Sequence, residues 1–328
     1  DVEALSKSAL FWRSFTHWIG GMGVIVFLVA ILSISGGNDF YLVKAESPGH
    51  SVSKLVPKVR TTATILYSIY MGMTIVEIVL LLFGGLDVFS ALTLSFGTAG
   101  TGGFAILNSG LAGYSSYTQV VITVFMILFG IDFSFYYLIL MRKWKDTFKM
   151  EEVRAYLIVI FSATALITLS IMGQYTSVGE SIKHSAFQVA TAITTTGYST
   201  TDFNLWPQFA KTILVLLMFS GACSGSTGGG IKVSRFLILF KSVIKEIRVL
   251  SHPKSAIKVR LNGKVVEHEV LRGVNTFFGA FLLIYAVVLL VISLDGFSFT
   301  TNFTATVATL CNIGPGLEMV GPMGNYSA

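Results

Sequence analysis

The 328-residue sequence predicts an all-α, polytopic membrane protein assembled from copies of one unit: outer helix, re-entrant helix, Gly-containing turn, inner helix. Three observations predict it. Apolar runs near 9–33, 61–84, 118–141, 154–173 and 272–294 each approach the roughly 20 residues that carry a helix across a hydrocarbon core, in a chain that is 53% hydrophobic and 12% charged. Shorter segments near 86–98, 181–194 and 299–311 lie between long runs and would extend only about 20 Å as helix, enough to enter the bilayer but not to cross it. Each short segment ends in a polar stretch containing Gly. Five continuous apolar runs exclude a large soluble enzyme, and their lack of alternation excludes a β-barrel.

The charges fix the topology. Of 23 Lys and Arg, nineteen fall between Lys44 and Arg60, between Arg142 and Arg154, or between Lys232 and Arg272. Only Lys7, Arg13, Lys183 and Lys211 lie elsewhere, so the positive-inside rule places those three regions in the cytoplasm. The net charge of +6 is therefore topological, and nucleic acid is not an expected partner. The stretch Lys241, Lys245, Arg248, Lys254, Lys258 and Arg260 suits anionic membrane lipid or a cytoplasmic docking partner.

Taken in order, residues 1–58 hold the inner helix of a first repeat (9–33) and a cytoplasmic loop. Residues 59–150 form a second repeat: outer helix 61–84, re-entrant helix 86–98, the turn "TAGTGGFAILNSG" from Thr98, and inner helix 118–141. Residues 151–268 form a third, with outer helix 154–173, re-entrant helix 181–194 and the turn "TTTGYSTTDF" from Thr194. Residues 269–328 form an incomplete fourth, with outer helix 272–294, re-entrant helix 299–311 and the turn "CNIGPGLEMVG" from Cys311. Gly102, Gly197 and Gly314 are taken as equivalent, 95 and 117 residues apart. The first repeat would lack its outer helix and turn and the last its inner helix, so the sequence reads as a fragment with one copy split across its ends.

Irregular backbone at membrane depth is tolerated only where it is buried in protein or lines a water-filled path. A Gly in such a turn permits conformations closed to other residues and removes a side chain that would narrow the path. Carbonyls presented there replace a cation's hydration shell, and the negative ends of the short helices reinforce them. The expected ion-binding residues are Thr101 and Gly102, Thr195, Thr196 and Gly197, and Asn312, Ile313 and Gly314. These re-entrant segments are thus read as pore helices with filter loops.

The third inner helix contains "FSGACSGSTGGGIKVSRF", residues 219 to 236. Gly221, Gly225, Gly228, Gly229 and Gly230 each cost a helix about 1 kcal/mol relative to Ala, so it breaks there. Ile231 separates Gly230 from Lys232, which spoils the Gly-Lys-Ser/Thr pattern of a phosphate loop. A plug of small residues that moves aside to open the path fits better, its loose backbone groups satisfied by Ser224, Ser226 and Thr227.

Glu77 and Asp132 are intramembrane acids that need partners or water; each either touches the ion path or pairs with a neighbouring helix. His17, beside Trp18, is expected to pack at the membrane interface. Asp202 and Glu318 fall just beyond the second and third turns, where they would concentrate cations at the outer mouth or act as ordinary loop charges. Cys223 and Cys311 lack metal or disulfide spacing and read as small buried residues. No nucleophile–base pair is apparent, so an enzyme is not expected; a secondary transporter with broken helices is the alternative to a channel-like permease.

The segments "FWRSFTHWIGGMGVIV" at 11–26, "GTGGF" at 100–104, "TTTGYSTTDFNLWP" at 194–207, "SGACSGSTGGGIK" at 220–232 and "CNIGPG" at 311–316 resemble the TrkH/KtrB superfamily of cation uptake proteins, its TrkH branch more than its KtrB branch. The resemblance spans nearly the whole chain. It implies a pseudo-fourfold pore in the bacterial cytoplasmic membrane, potassium as the transported ion, a homodimer with one pore per subunit, and a cytoplasmic TrkA-type ring that binds nucleotide and controls the gate. It assigns Gly102, Gly197 and Gly314 as three of four filter glycines and 220–230 as the gating loop. Its potassium rule requires Gly at the fourth position as well; a Ser there leaves sodium open.

Overall fold

Among the described residues, three helices are long and apolar enough to cross a membrane: Thr64–Phe83, Glu151–Ile171 and His268–Asp295, the outer helices of the second, third and fourth repeats. The computed structural model describes residues 2–23, 59–252 and 257–322. The rest of the expected 9–33 helix, the basic loop after it and Lys254 lie outside the described residues.

The chain opens with α1 (Lys7–Trp18), which runs into a π-helical turn at Ile19–Gly23. In the second repeat the outer helix α2 (Val59–Phe83) is followed by the short α3 (Val88–Ala99). The inner part is two helices, α4 (Ser116–Phe129) and α5 (Phe133–Leu140), with a single turn α6 (Trp144–Thr147) after them. The third repeat has outer α7 (Glu151–Ile171), short α8 (Val178–Ile193), and inner halves α9 (Gln208–Phe219) and α10 (Val233–Ser251). A two-stranded hairpin, β1 (Arg260–Leu261) and β2 (Lys264–Val265), leads into outer α11 (His268–Ile292) and short α12 (Phe299–Leu310).

Each short helix starts the same way. Asp87, Ser177 and Ser298 cap α3, α8 and α12, accepting the backbone N–H of Ser90, Glu180 and Thr301 at 3.2, 3.1 and 3.1 Å. Such caps satisfy donors that the first turn leaves orphaned, which lets a helix begin abruptly at the end of an outer loop. Packing then arranges the units in a circuit. α3 lies against its own outer and inner helices, α2 and α4, and against α1 of the preceding unit. α8 repeats this with α7, α9 and the preceding α4, and α12 with α11 and the preceding α9. Every short helix is therefore walled by helices of two units. Its buried face carries small residues and hydroxyls, such as Thr93, Ser95 and Thr98 on α3 and Ser185, Thr191 and Thr194 at α8.

One expected helix is not continuous. The apolar run 118–141 breaks at residues 130–132, and α4 and α5 meet at 87°. Asp132 causes the restart: its carboxylate accepts the Ser134 N–H at 2.8 Å, capping α5. The backbone groups freed by the break find partners in the glycine-rich segment of the third repeat, since Cys223 N–H donates to Gly130 O at 3.0 Å and Phe133 N–H to Gly225 O at 3.1 Å. The two broken inner helices thus complete each other's hydrogen bonding, which meets the demand that backbone at this depth be satisfied internally.

Candidate functional site

The turns after α3, α8 and α12 share one backbone course. Gly100, Thr194 and Cys311 close the helix with bonds to the carbonyls of Phe96, Ala190 and Val307. The next residues, Thr101, Thr195 and Asn312, adopt left-handed φ values of 49°, 57° and 57°. The residues after those, Gly102, Thr196 and Ile313, reach back five positions to Gly97, Thr191 and Ala308 at 2.8, 3.0 and 2.8 Å. Then comes a glycine of positive φ in every copy: Gly103 at 66°, Gly197 at 87° and Gly314 at 109°.

This corrects the register. The structural partner of Gly197 and Gly314 is Gly103, whereas Gly102 matches Thr196 and Ile313. A signal in the sequence marked the true register: an aromatic follows the glycine in "TGGF" and in "TTGY". The positive φ favours glycine at all three positions, and at two of them a side chain has no room. A β-carbon on Gly103 would collide with the Thr196 carbonyl oxygen, and one on Gly197 with the Ile313 carbonyl oxygen. Gly103 and Gly197 thus each abut the carbonyl that precedes the glycine of the next unit, whereas a β-carbon on Gly314 would meet nothing within 4 Å.

Hydroxyls hold the turns from behind. Thr194 Oγ1 donates to Ala190 O at 2.7 Å and lies 2.7 Å from Thr196 Oγ1. Tyr198, buried, donates its OH to Leu94 O at 3.1 Å, fastening the third-repeat turn to α3. His17 packs against the second-repeat turn. Its ring centroid lies 3.9 Å from that of Phe104 and the ring packs against Gly102, with Arg13 also over the Phe104 ring at 4.3 Å and bonded to Ala105 O at 3.2 Å. The helix α1 of the first unit therefore braces the second-repeat turn.

The segment 220–232 is a folded-back loop, and all five expected glycines lie in it. Gly221 N–H bonds Ile231 O at 2.6 Å and Val233 N–H bonds Ala222 O at 3.2 Å, so its ends run side by side. Gly225 and Gly230 have φ of 76° and 63°. Its tip touches all three turns: Thr101 Oγ1 donates to Thr227 O at 2.9 Å, Gly229 N–H donates to Thr195 Oγ1 at 2.6 Å, and Gly229 lies against Cys311 O and Asn312. Lys232 reaches back to the Gly228 carbonyl. Cys223 and Cys311 are free and buried.

The remaining singled-out acids take local positions. Glu77 is fully buried on α2, facing Thr98 at the end of α3. Asp202 caps the 3-10 turn Phe203–Leu205 through Asn204 N–H at 3.0 Å. Glu318 accepts hydrogen bonds from Ser298 and, at 2.9 Å, from Thr301, and these hold its carboxyl below the ordinary value of 4.5. Its backbone N–H meets Asn204 Oδ1 at 2.8 Å, stitching the third and fourth outer loops together. Asp87 is likewise held below its ordinary value, first by Ser90.

The family model for TrkH cation transport proteins matches residues 1–322. The Trk system potassium uptake protein TrkH of Escherichia coli K12 is 35% identical over 324 residues, covering 97% of this chain and 67% of that protein. The same-named protein of Vibrio parahaemolyticus is 34% identical with equal coverage. The crystal structure of the potassium transporter TrkH from Vibrio parahaemolyticus superposes with a TM-score of 0.82 at 30% identity, over 98% of this chain and 66% of that one. The chain thus spans about two thirds of the length of these relatives. It is a mostly helical, multi-pass protein of the cytoplasmic membrane, of a transport rather than an enzyme family. By its sequence and its fold alike, the chain belongs to the TrkH family of cation transport proteins.

Proposed function

We propose that this chain provides a channel-like path for monovalent cations, potassium foremost, with the carbonyls of the turns at Gly103, Gly197 and Gly314 as the filter and loop 220–230 as its gate. Residues 1–58, 59–150, 151–268 and 269–328 are taken as the units around the path. The observation that carries the reading is the repetition of one strained turn at the ends of three half-length helices, with one glycine-rich loop touching all three. A transporter with an occluded organic substrate has no need to repeat the same turn in every unit, whereas a ring of carbonyls does. The related proteins are named for potassium uptake, which favours that ion here. The homodimer and the cytoplasmic nucleotide-binding TrkA-type ring are proposed on the same kinship. For the basic stretch around Lys241, which contacts Glu151, anionic lipid remains the expected partner.

Reconstitution in liposomes tests the reading. Deleting Gly225 to Gly230 is expected to raise rubidium uptake while leaving the rubidium-to-sodium ratio near that of the parent, because the turns are untouched. Gly197→Ser is expected to lower that ratio in assembled protein, because its β-carbon collides with the Ile313 carbonyl. An assembled deletion variant with parental or lower flux defeats the gate. Unchanged discrimination in the Ser variant defeats the filter, and equal sodium and rubidium uptake by the parent would make the path non-selective.

A further inference from the structure

The glycine-rich loop is held by a residue outside it. Glu152, buried in the first turn of α7, uses one carboxylate oxygen, Oε1, to accept the backbone N–H of Ser224 at 2.6 Å and that of Ser234 at 2.9 Å. Those two donors flank the folded-back loop, Ser224 within it and Ser234 in the first turn of α10, on either side of Gly225, Gly228, Gly229 and Gly230. They come within reach of a single oxygen only while the loop is folded. Ser224 and Ser234 also join hydroxyl to hydroxyl.

We infer that Glu152 is the positioning residue of the gate, clamping both ends of the loop so that its tip stays against the three turns; this rests on reading the loop as the gate. The chemistry suits a clamp. A carboxylate accepts backbone N–H groups more strongly than a neutral oxygen does, and it gains nothing once the loop unfolds and takes Ser224 away. Its own place is fixed from the cytoplasmic side. The adjacent Glu151 exchanges two hydrogen bonds with Asn262 of the β1–β2 hairpin, N–H to Oδ1 at 2.7 Å and Oε1 from N–H at 2.9 Å, and pairs with Lys241 on α10. Two consecutive acids therefore tie the hairpin and the loop to the same helix start. The loop's anchors on other elements are neutral, the backbone groups of the α4–α5 break and the hydroxyls of Thr101 and Thr195, while Lys232 reaches the Gly228 carbonyl from the loop's own end.

The test compares Glu152→Ala, Glu152→Leu and Glu152→Gln with the parent and with the 225–230 deletion in liposomes, at equal amounts of assembled protein. The Ala and Leu variants remove the acceptor, and Leu keeps the space filled. Both are expected to raise rubidium uptake by about tenfold, the size of losing a hydrogen bond to a charged group from the closed state. Gln keeps an oxygen that can take both donors but lacks the charge, and is expected to fall between the parent and the Ala variant. In the deletion background Glu152→Ala should add nothing. A second readout follows the loop itself: N-ethylmaleimide should label buried Cys223 faster in the Ala and Leu variants, read by peptide mass apart from Cys311. If the deletion raises flux but assembled Ala and Leu variants keep parental flux and labelling, the clamp is overturned and the gate stands. If the deletion does not raise flux, the gate falls and the clamp with it. Failure of both Ala and Leu variants to assemble makes Glu152 structural and also overturns the clamp.

Discussion

The Oγ1 of Thr195 accepts the backbone N–H of Gly229 at 2.6 Å, which joins the left-handed residue of the third-repeat turn directly to the tip of the glycine-rich loop. The hydroxyl is therefore shared between the candidate filter and its gate. Gly229 has no side chain, so the loop comes close enough for its own backbone to make this bond. Two neighbouring contacts, Thr101 with Thr227 and Gly229 with Cys311, spread the same docking over the other turns.

Thr195→Val removes the acceptor but keeps β-branching, so backbone strain at φ 57° is unchanged. A buried N–H left without a partner costs about 1–3 kcal/mol, which weighs against the docked loop. Rubidium uptake is expected to rise about fivefold or more, with the rubidium-to-sodium ratio near parental. Thr195→Ser, which keeps the hydroxyl, should behave as the parent. Equal uptake by the Val and Ser variants would remove this bond from the closed state.

Gly103 and Gly102 make separable forecasts. At Gly103 an added β-carbon meets a backbone carbonyl, that of Thr196, in a left-handed conformation costly to any L-residue, so nothing nearby can give way. At Gly102 it meets the imidazole of His17, which a second substitution can remove. Gly103→Ala is expected to abolish potassium-supported growth of an uptake-deficient strain, with or without His17→Ala. Gly102→Ala should be impaired alone and recover with His17→Ala. Recovery of the Gly103 variant would return the equivalence to Gly102.

Much of this architecture was legible because the length of an apolar run is a strong signal when the solvent is lipid. The short helices were found by being too short, and the break at 220–232 by five glycines in one span. Two features were not legible for physical reasons. The 118–141 run stays apolar through Ile131, so hydropathy carries no trace of the 87° bend; Gly130 and Asp132 act as a stop and a cap only because loop 220–232 supplies partners for the opened backbone. Nor could spacing choose between Gly102 and Gly103, since adjacent glycines fit the same period; the aromatic that follows Gly103 and Gly197 and the positive φ of both separate their roles. The clamp at Glu152 joins residues 72 and 82 positions apart, and no local pattern announces it.

Glu318 links pH to stability. Its carboxyl is held below its ordinary 4.5, chiefly by the Ser298 hydroxyl, so ionisation is easier in the folded state. A depressed carboxyl stabilises the fold above its unfolded value and loses that contribution as pH falls through the folded value. The group is largely solvent-exposed, so the effect is small. Thermal stability of the parent should drop more between about pH 5 and pH 3 than that of Glu318→Gln, since the contribution is lost as pH falls below that ordinary value of 4.5. The Gln variant keeps the Asn204 contacts of the backbone. Parallel pH curves for parent and variant would show that these hydroxyls do not favour the carboxylate.

The start of α7 is capped from 111 residues away. Its own N-cap residue, Met150, offers no side-chain acceptor, and Asn262 supplies one instead, taking the Glu151 N–H at 2.7 Å. Asn262 can do so because it and Gly263 turn the hairpin with φ of 53° and 76°, the pair of positive values that an Asn-Gly turn accommodates. Asn262→Gly keeps that backbone and removes only the side chain, so it isolates the cap. Loss of a capping side chain costs about 1 kcal/mol. Amide hydrogen exchange at Glu151 and the following turn should therefore quicken about fivefold, while the Val266 N–H, bonded to Val259 O within the hairpin, keeps its protection. Because Glu152 is the next residue, uptake should rise in step with the exchange at α7. Unchanged exchange at Glu151 would mean that water replaces Asn262 at no cost and that the hairpin is not what sets the start of this helix.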